Sequence, residues 1–246
     1  MNAAFSDNNI NIKDINFLKV PDVLYPKDSF DYYLLSQKEY NYLSLMETEI
    51  LKRLNIALVL KERKETKYFF RVFEYVKIML EHLSLNENEK RSILYSSLTY
   101  DIGKIAISDE ILFKPQRLNK HEYSIMKKHC HIGYSILANN LNVNSDILVT
   151  AAIVAKYHHE RWDGAGYPEK LKGEQIPLSA RIIAIADLFN ALTSDRPYNK
   201  KLSIQEAINI IRQEEGKSLD PYLVQEFREN NLNEESIRKK YNSLFS

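Results

Sequence analysis

Two adjacent imidazoles, His158 and His159, close a run of small and apolar residues from Ile147 to Ala155. They lead directly into Glu160-Arg161-Trp162-Asp163-Gly164-Ala165-Gly166-Tyr167-Pro168. Imidazole is the commonest metal ligand among side chains. Glycines as close together as Gly164 and Gly166 let a backbone turn sharply or approach a ligand. The stretch reads as a metal held at a helix end beside a substrate-facing loop, or as a polar helix terminus followed by loop punctuation. Asp101-Ile102-Gly103-Lys104 is the second chemically suggestive stretch. It reads as a simple ion pair, or as a metal-bridging carboxylate with a lysine aimed at a phosphate. His129 and His131 point to different sides of a helix, so at most one of them easily serves a buried site. His121, in Asn119-Lys120-His121-Glu122, reads as solvated. Asp187 stands between Ala186 and Leu188, where a carboxylate is costly to bury unless it is paired or bound to a metal.

The elements that must position these groups are helical. Residues 1–35 are polar and Asn-rich and read as an arm or linker. From Ser36 to Lys64, Leu43, Met46, Ile50, Leu54 and Leu58 recur at spacings of three and four. That stripe suits burial within the chain or pairing of two protomers. A second helix covers Thr66 to Leu83, with Phe70, Phe73, Val76, Ile78 and Met79 mostly on one side. Asn86 with Glu89 signals a capped helix start. That helix is expected to run through Ile93, Leu94 and Leu98 to Tyr100 and Asp101, with Gly103 as its stop. Residues 105–118 read as a turn-rich connection, and Asn119 to Ala138 as one helix. Asp146 to His159 forms a short apolar helix. Leu178 to Thr193 forms another, packing Ile182, Ile183, Ala186 and Phe189. Ser203 with Glu206 opens a further helix, and Asp220-Pro221 opens the next with proline at its first position. No alternating strand pattern and no internal repeat occur, so the expected class is all-α.

Composition excludes several functions. Among 246 residues, 44% are hydrophobic and 27% charged, with a formal net charge of +1. Such a balance creates no global field for nucleic acid or an anionic membrane, so DNA is not an expected partner. The single cysteine, Cys130, rules out an intrachain disulfide and a Cys-rich zinc module. A reducing cytoplasm is the expected compartment. The first residues lack a basic segment followed by an apolar run, and no apolar run approaches the ~18 residues of a membrane span.

Taken in order, the motifs resemble one family. They are Asp101-Ile102-Gly103-Lys104, His129 with Gly133, His158-His159-Glu160-Arg161-Trp162-Asp163-Gly164, and Gly166-Tyr167-Pro168. Ile176-Pro177-Leu178, Ala186-Asp187, Ala191-Leu192-Thr193-Ser194 and Arg196-Pro197-Tyr198 follow. The chain is similar to HD-GYP domains, a branch of the HD metal-dependent phosphohydrolases, over roughly residues 60 to 230. The implied layout is an arm over 1–35, an N-terminal helix over 36–63, and an HD-type helical bundle over 64–246.

The resemblance implies two or three metal ions, often iron or manganese, and hydrolysis of cyclic di-GMP or related cyclic dinucleotides. Two nearby metals hold a hydroxide that attacks phosphorus and neutralise phosphate charge. A ligand set of imidazole and carboxylate suits these metals. Carried over by residue, one metal takes Asp101, as a bridging carboxylate, with His129, His158 and His159. Its neighbour shares Asp101 and adds Asp187. The neighbour's remaining ligands are two histidines in the family, and here those positions are Tyr100 and Tyr68, the latter set by Arg71-Val72. Lys64 falls where members with a third metal place a glutamate, and Glu65 is one residue off. An ammonium at Lys64 would balance carboxylates near the vacated region; a surface lysine is the other reading. Phenols, with a reference pKa of about 10, are poor ligands near neutral pH. The implied metal content is therefore one well-held ion, with catalysis through Asp101 and Lys104 impaired. Lys104, Tyr167, Arg196 and Tyr198 are the implied substrate-side residues, Arg196 being suited to bidentate phosphate contacts. Arg196-Pro197-Tyr198 is equally compatible with a structural turn. Lys114-Pro115-Gln116 stands where the family usually has Lys-Pro-Gly. Three readings follow: a binding or signalling module for cyclic dinucleotides, an active phosphodiesterase, and a metal-free scaffold with protein partners or a homodimer along the first helix.

Overall fold

The computed structural model describes residues 42–63, 66–138, 145–194 and 201–229, without the side chains of 42–44 and 66–70. The arm over 1–35, Lys64, Glu65, the Tyr68 side chain, Arg196 and Tyr198 lie outside the described residues. Two compact units divide the chain at Glu39/Tyr40, and the second holds every described residue. Ten α-helices are described in that unit. They are α1 (Tyr42–Glu62), α2 (Thr66–Glu81), α3 (Glu87–Ser96), α4 (Asp109–Leu112), α5 (Lys120–Lys127), α6 (His129–Ala138), α7 (Asp146–Tyr157), α8 (Leu178–Thr193), α9 (Ile204–Gln213) and α10 (Pro221–Glu229). Two 3-10 turns, Ile102–Ala106 and Gly173–Gln175, join them. Among the described residues no strand forms, and no helix is long and apolar enough to cross a membrane.

Local chemistry sets several of these boundaries. Asn86, Asn119 and Ser203 each accept a hydrogen bond from the backbone of a glutamate three residues on, and that glutamate reaches back to the cap. Helix α3 stops at Ser96, short of the expected Asp101. The Ser96 and Ser97 hydroxyls donate to the carbonyls of Ile93 and Leu94, a local competition that favours turns over continued helix. Gly103 is therefore not a helix stop; it lies within the 3-10 turn. The single helix expected over 119–138 is two, separated at Lys128.

Helix α8 is the axis of the core. Ile182, Ile183, Ile185, Ala186 and Phe189 are fully buried against Val72, Val76 and Met79 of α2, Ile211 of α9, and Leu223 and Phe227 of α10. Helix α7 packs between α3 and α6. Helix α1 packs on the Ile102–Ala106 turn through a face that keeps Leu58 of the expected stripe but turns Met46 and Ile50 outward. Leu51, Asn55, Leu58 and Glu62 are buried, whereas Met46 and Ile50 are 51% and 47% exposed. Two of the inward residues are polar because their partners are polar. Asn55 Nδ2 donates to the Leu98 carbonyl at 2.7 Å, and Glu62 meets Lys104.

Candidate metal centre

Three segments converge to form the centre: the turn that opens at Asp101, the start of α6 at His129, and the end of α7 at His158 and His159. Gly103 makes the convergence possible. A Cβ there would lie 1.9 Å from the His129 carbonyl oxygen, so only glycine lets the turn sit against the start of α6. One ligand atom from each of Asp101, His129, His158 and His159 lies within 4.8 Å of every other.

Hydrogen bonds fix which face each imidazole presents. His129 Nδ1 is 2.7 Å from the Met126 carbonyl, and His158 Nδ1 is 3.0 Å from the Val154 carbonyl. A carbonyl only accepts, so each Nδ1 carries the proton and each Nε2 keeps its lone pair; such outer partners orient metal-ligating histidines. The two Nε2 atoms stand 3.4 Å apart, and 3.4 and 3.5 Å from Asp101 Oδ1. That oxygen is buried and lacks a hydrogen-bond partner among the described residues. Three electron-rich atoms thus face one another, an arrangement that fits a divalent cation. Burial, against the opposing pull of the Asp101 carboxylate, lowers the His129 pKa to about 4 and holds His159 well below the usual histidine range, which keeps both neutral. Burial also pushes up the Asp101 carboxyl, but Lys104, His158 and His129 outweigh it and hold it well below the usual carboxylate range. The Cys130 thiol, 3.5 Å from His129 Nε2, is pushed up by burial and stays protonated.

The remaining site residues are placed differently. Asp101 Oδ2 accepts from Lys104 Nζ at 2.6 Å. Lys104, only 18% exposed, also lies 3.6 Å from Glu62 Oε1. Burial disfavours its ammonium, yet Asp101, Glu62 and Asp187 more than offset that and raise its pKa. Asp187 is not part of the four-ligand group; its Oδ1 accepts from Tyr100 Oη at 2.9 Å. Tyr100 is 1% exposed, and its ring packs edge-on against His158. Tyr167 stacks on His159, with centroids 4.9 Å apart and planes at 29°.

The loop that carries Tyr167 is braced from below. Both Glu160 carboxylate oxygens accept backbone N–H groups, from Glu169 at 2.6 Å and Leu171 at 3.1 Å. A Cβ on Gly166 would come within 2.4 Å of the Arg161 nitrogen, so the loop closes tightly on itself there. The Tyr167–Pro168 bond is cis. Arg71 Nη1 donates to Ser194 Oγ at 2.8 Å, which ties α2 to the end of α8.

Sequence reasoning missed Glu62, Tyr123 and Lys127. Glu62 continues the buried register of Leu51, Asn55 and Leu58, and that spacing of four, three and four was its signal. Tyr123 lies edge-on to Tyr167 at 6.3 Å, and Lys127 Nζ is 5.3 and 5.7 Å from the two ring centroids.

The HD domain family matches residues 46–223. The chain is 39% identical over 178 residues to the cyclic di-GMP phosphodiesterase response regulator RpfG of Xanthomonas campestris, covering 72% of this chain and 46% of that protein. It is 38% identical over 179 residues to a cyclic di-GMP phosphodiesterase of Thermotoga maritima, covering 73% and 48%. The chain thus spans about half the length of the curated relatives it matches. A crystal structure of a cyclic GMP-AMP specific phosphodiesterase of V. cholerae has the same fold, with TM-score 0.59 and 21% identity over 81% of this chain and 53% of that one. With its helical architecture and the convergence of Asp101, His129, His158 and His159, the chain belongs to the HD domain family, in its HD-GYP branch.

Proposed function

We propose that the chain is a cyclic dinucleotide-binding domain on a phosphodiesterase fold, holding one divalent metal, iron or manganese, with slow hydrolysis or none. The observation that carries this reading is the 2.9 Å bond from Tyr100 Oη to Asp187 Oδ1. A second ion would need Asp187 and the second oxygen of Asp101. Here a phenol satisfies the first and the Lys104 ammonium satisfies the second. A bound ion supplies Lewis-acid neutralisation of phosphate charge. His129 and His158 hold their Nε2 lone pairs inward through the Met126 and Val154 carbonyls, and Asp101 Oδ1 completes the face they share. Lys104 adds a fixed positive charge beside that face for a phosphate oxygen. Tyr167, held against His159, forms one wall for the nucleotide.

The second reading is an active cyclic di-GMP phosphodiesterase. It is favoured by the names of the 39% and 38% identical relatives. Metal analysis and turnover separate the two. The expected result is about one metal per chain after preparation without chelators, with cyclic di-GMP bound but not cleaved in manganese or ferrous iron. Two firmly bound ions, or robust turnover that disappears in His158→Ala, would overturn the first reading in favour of the second.

A further inference from the structure

We propose that Tyr123 and Lys127 of α5 form an outer subsite for a purine base, selective for guanine, of a nucleotide whose phosphate lies at the metal centre. This inference rests on the cyclic dinucleotide reading above. A ladder of rings leads outward from the centre: His159 stacks on Tyr167, and Tyr167 meets the edge of Tyr123. Tyr123 is therefore no farther from His159 than those two ring separations combined, while 47% of its surface remains exposed. An isolated exposed aromatic is ordinary. This one continues a ladder that begins on a metal-centre histidine.

Two further features suit a ligand. Lys127 Nζ lies against both tyrosine rings, and among the described residues no carboxylate pairs with it. The platform is also rigid. Asn119 and Glu122 cap α5 reciprocally, and Glu122 accepts from Lys114 at 2.6 Å, so the first turn carrying Tyr123 is pinned before any ligand arrives. A tyrosine face stacks on any base. A lysine beside it prefers guanine, whose O6 and N7 both accept, over adenine, whose N6 donates.

Calorimetric titration of the manganese-loaded chain with cyclic di-GMP, cyclic GMP-AMP and cyclic di-AMP tests the subsite. Tyr123 is exposed, so its substitution leaves the packed core untouched. Tyr123→Ala should weaken cyclic di-GMP binding about tenfold, within the range for loss of one base–aromatic stack, while Tyr123→Phe stays within about twofold because a phenyl face stacks as well. Lys127→Gln should weaken cyclic di-GMP more than cyclic di-AMP. A cyclic dinucleotide carrying 2-aminopurine should be quenched by the wild type and Tyr123→Phe, and not by Tyr123→Ala. Wild-type binding that Tyr123→Ala leaves unchanged, with quenching intact, overturns the subsite alone. A wild type that binds none of the three nucleotides overturns the functional reading as well.

Discussion

Replacing Tyr100 by phenylalanine removes a single oxygen, the donor that stands 2.9 Å from Asp187 Oδ1. The ring keeps its place, since Tyr100 is 1% exposed and packs edge-on against His158 with centroids 5.2 Å apart. The loss includes that hydrogen bond to a carboxylate, and such bonds contribute about 1.5–3 kcal/mol. Asp187 is half-buried, so water can replace part of the contact and the lower end, about 1.5 kcal/mol, is expected. For a domain of this size that corresponds to a fall in Tm of about 3–6 °C. Thermal denaturation of apo wild type and Tyr100→Phe, followed by circular dichroism, measures it. On the one-metal reading, manganese analysis of the same pair should give about one ion in each. An unchanged Tm would refute the hydrogen-bond argument. Two ions in the wild type falling to one in Tyr100→Phe would show that the phenol ligates a second metal, and would refute the closed second position.

Three other outcomes follow from the same geometry. Gly103→Ala would set a Cβ 1.9 Å from the His129 carbonyl oxygen and should cost at least about 3 kcal/mol in urea denaturation. Gly133→Ala, which would meet the Ala155 Cβ at 3.2 Å, should cost clearly less. Glu62→Gln breaks one arm of the buried Lys104 cluster and should destabilise by about 3 kcal/mol. The same variant should bind manganese more weakly in a direct titration, since Lys104 is then left to compete for Asp101. Manganese at about a hundredfold above its Kd should stabilise the wild type by about 2.7 kcal/mol. Chelation should reverse that gain, and His158→Ala should abolish it; an equal gain in His158→Ala would place the ion elsewhere.

Much of the helical framework was legible in the chain itself. Leu178–Thr193 and its buried Ile182, Ile183, Ala186 and Phe189 follow the expected pattern, as do the caps at Asn86 and Ser203. Where the reading failed, a local competitor had been overlooked or a polar partner lay far away in sequence. Hydroxyls at Ser96 and Ser97 turn back on their own helix and end it early. In α1, hydrophobic spacing pointed to Met46 and Ile50, yet Asn55 and Glu62 take the inner face because Leu98 and Lys104 offer them partners there.

Residue types and their order by themselves pointed to an all-helical chain of the HD family, with Asp101, His129, His158 and His159 as candidate metal ligands. Caps, apolar spacing and motif order act over a few residues, and a linear reading captures them. Tertiary packing alone brought Asp101 Oδ1 opposite the His129 and His158 Nε2 atoms, put Lys104 on the other Asp101 oxygen, and joined Tyr100 to Asp187 across 87 residues. Those contacts depend on how closely helices approach, as at Gly103 against His129, and no local pattern encodes that distance.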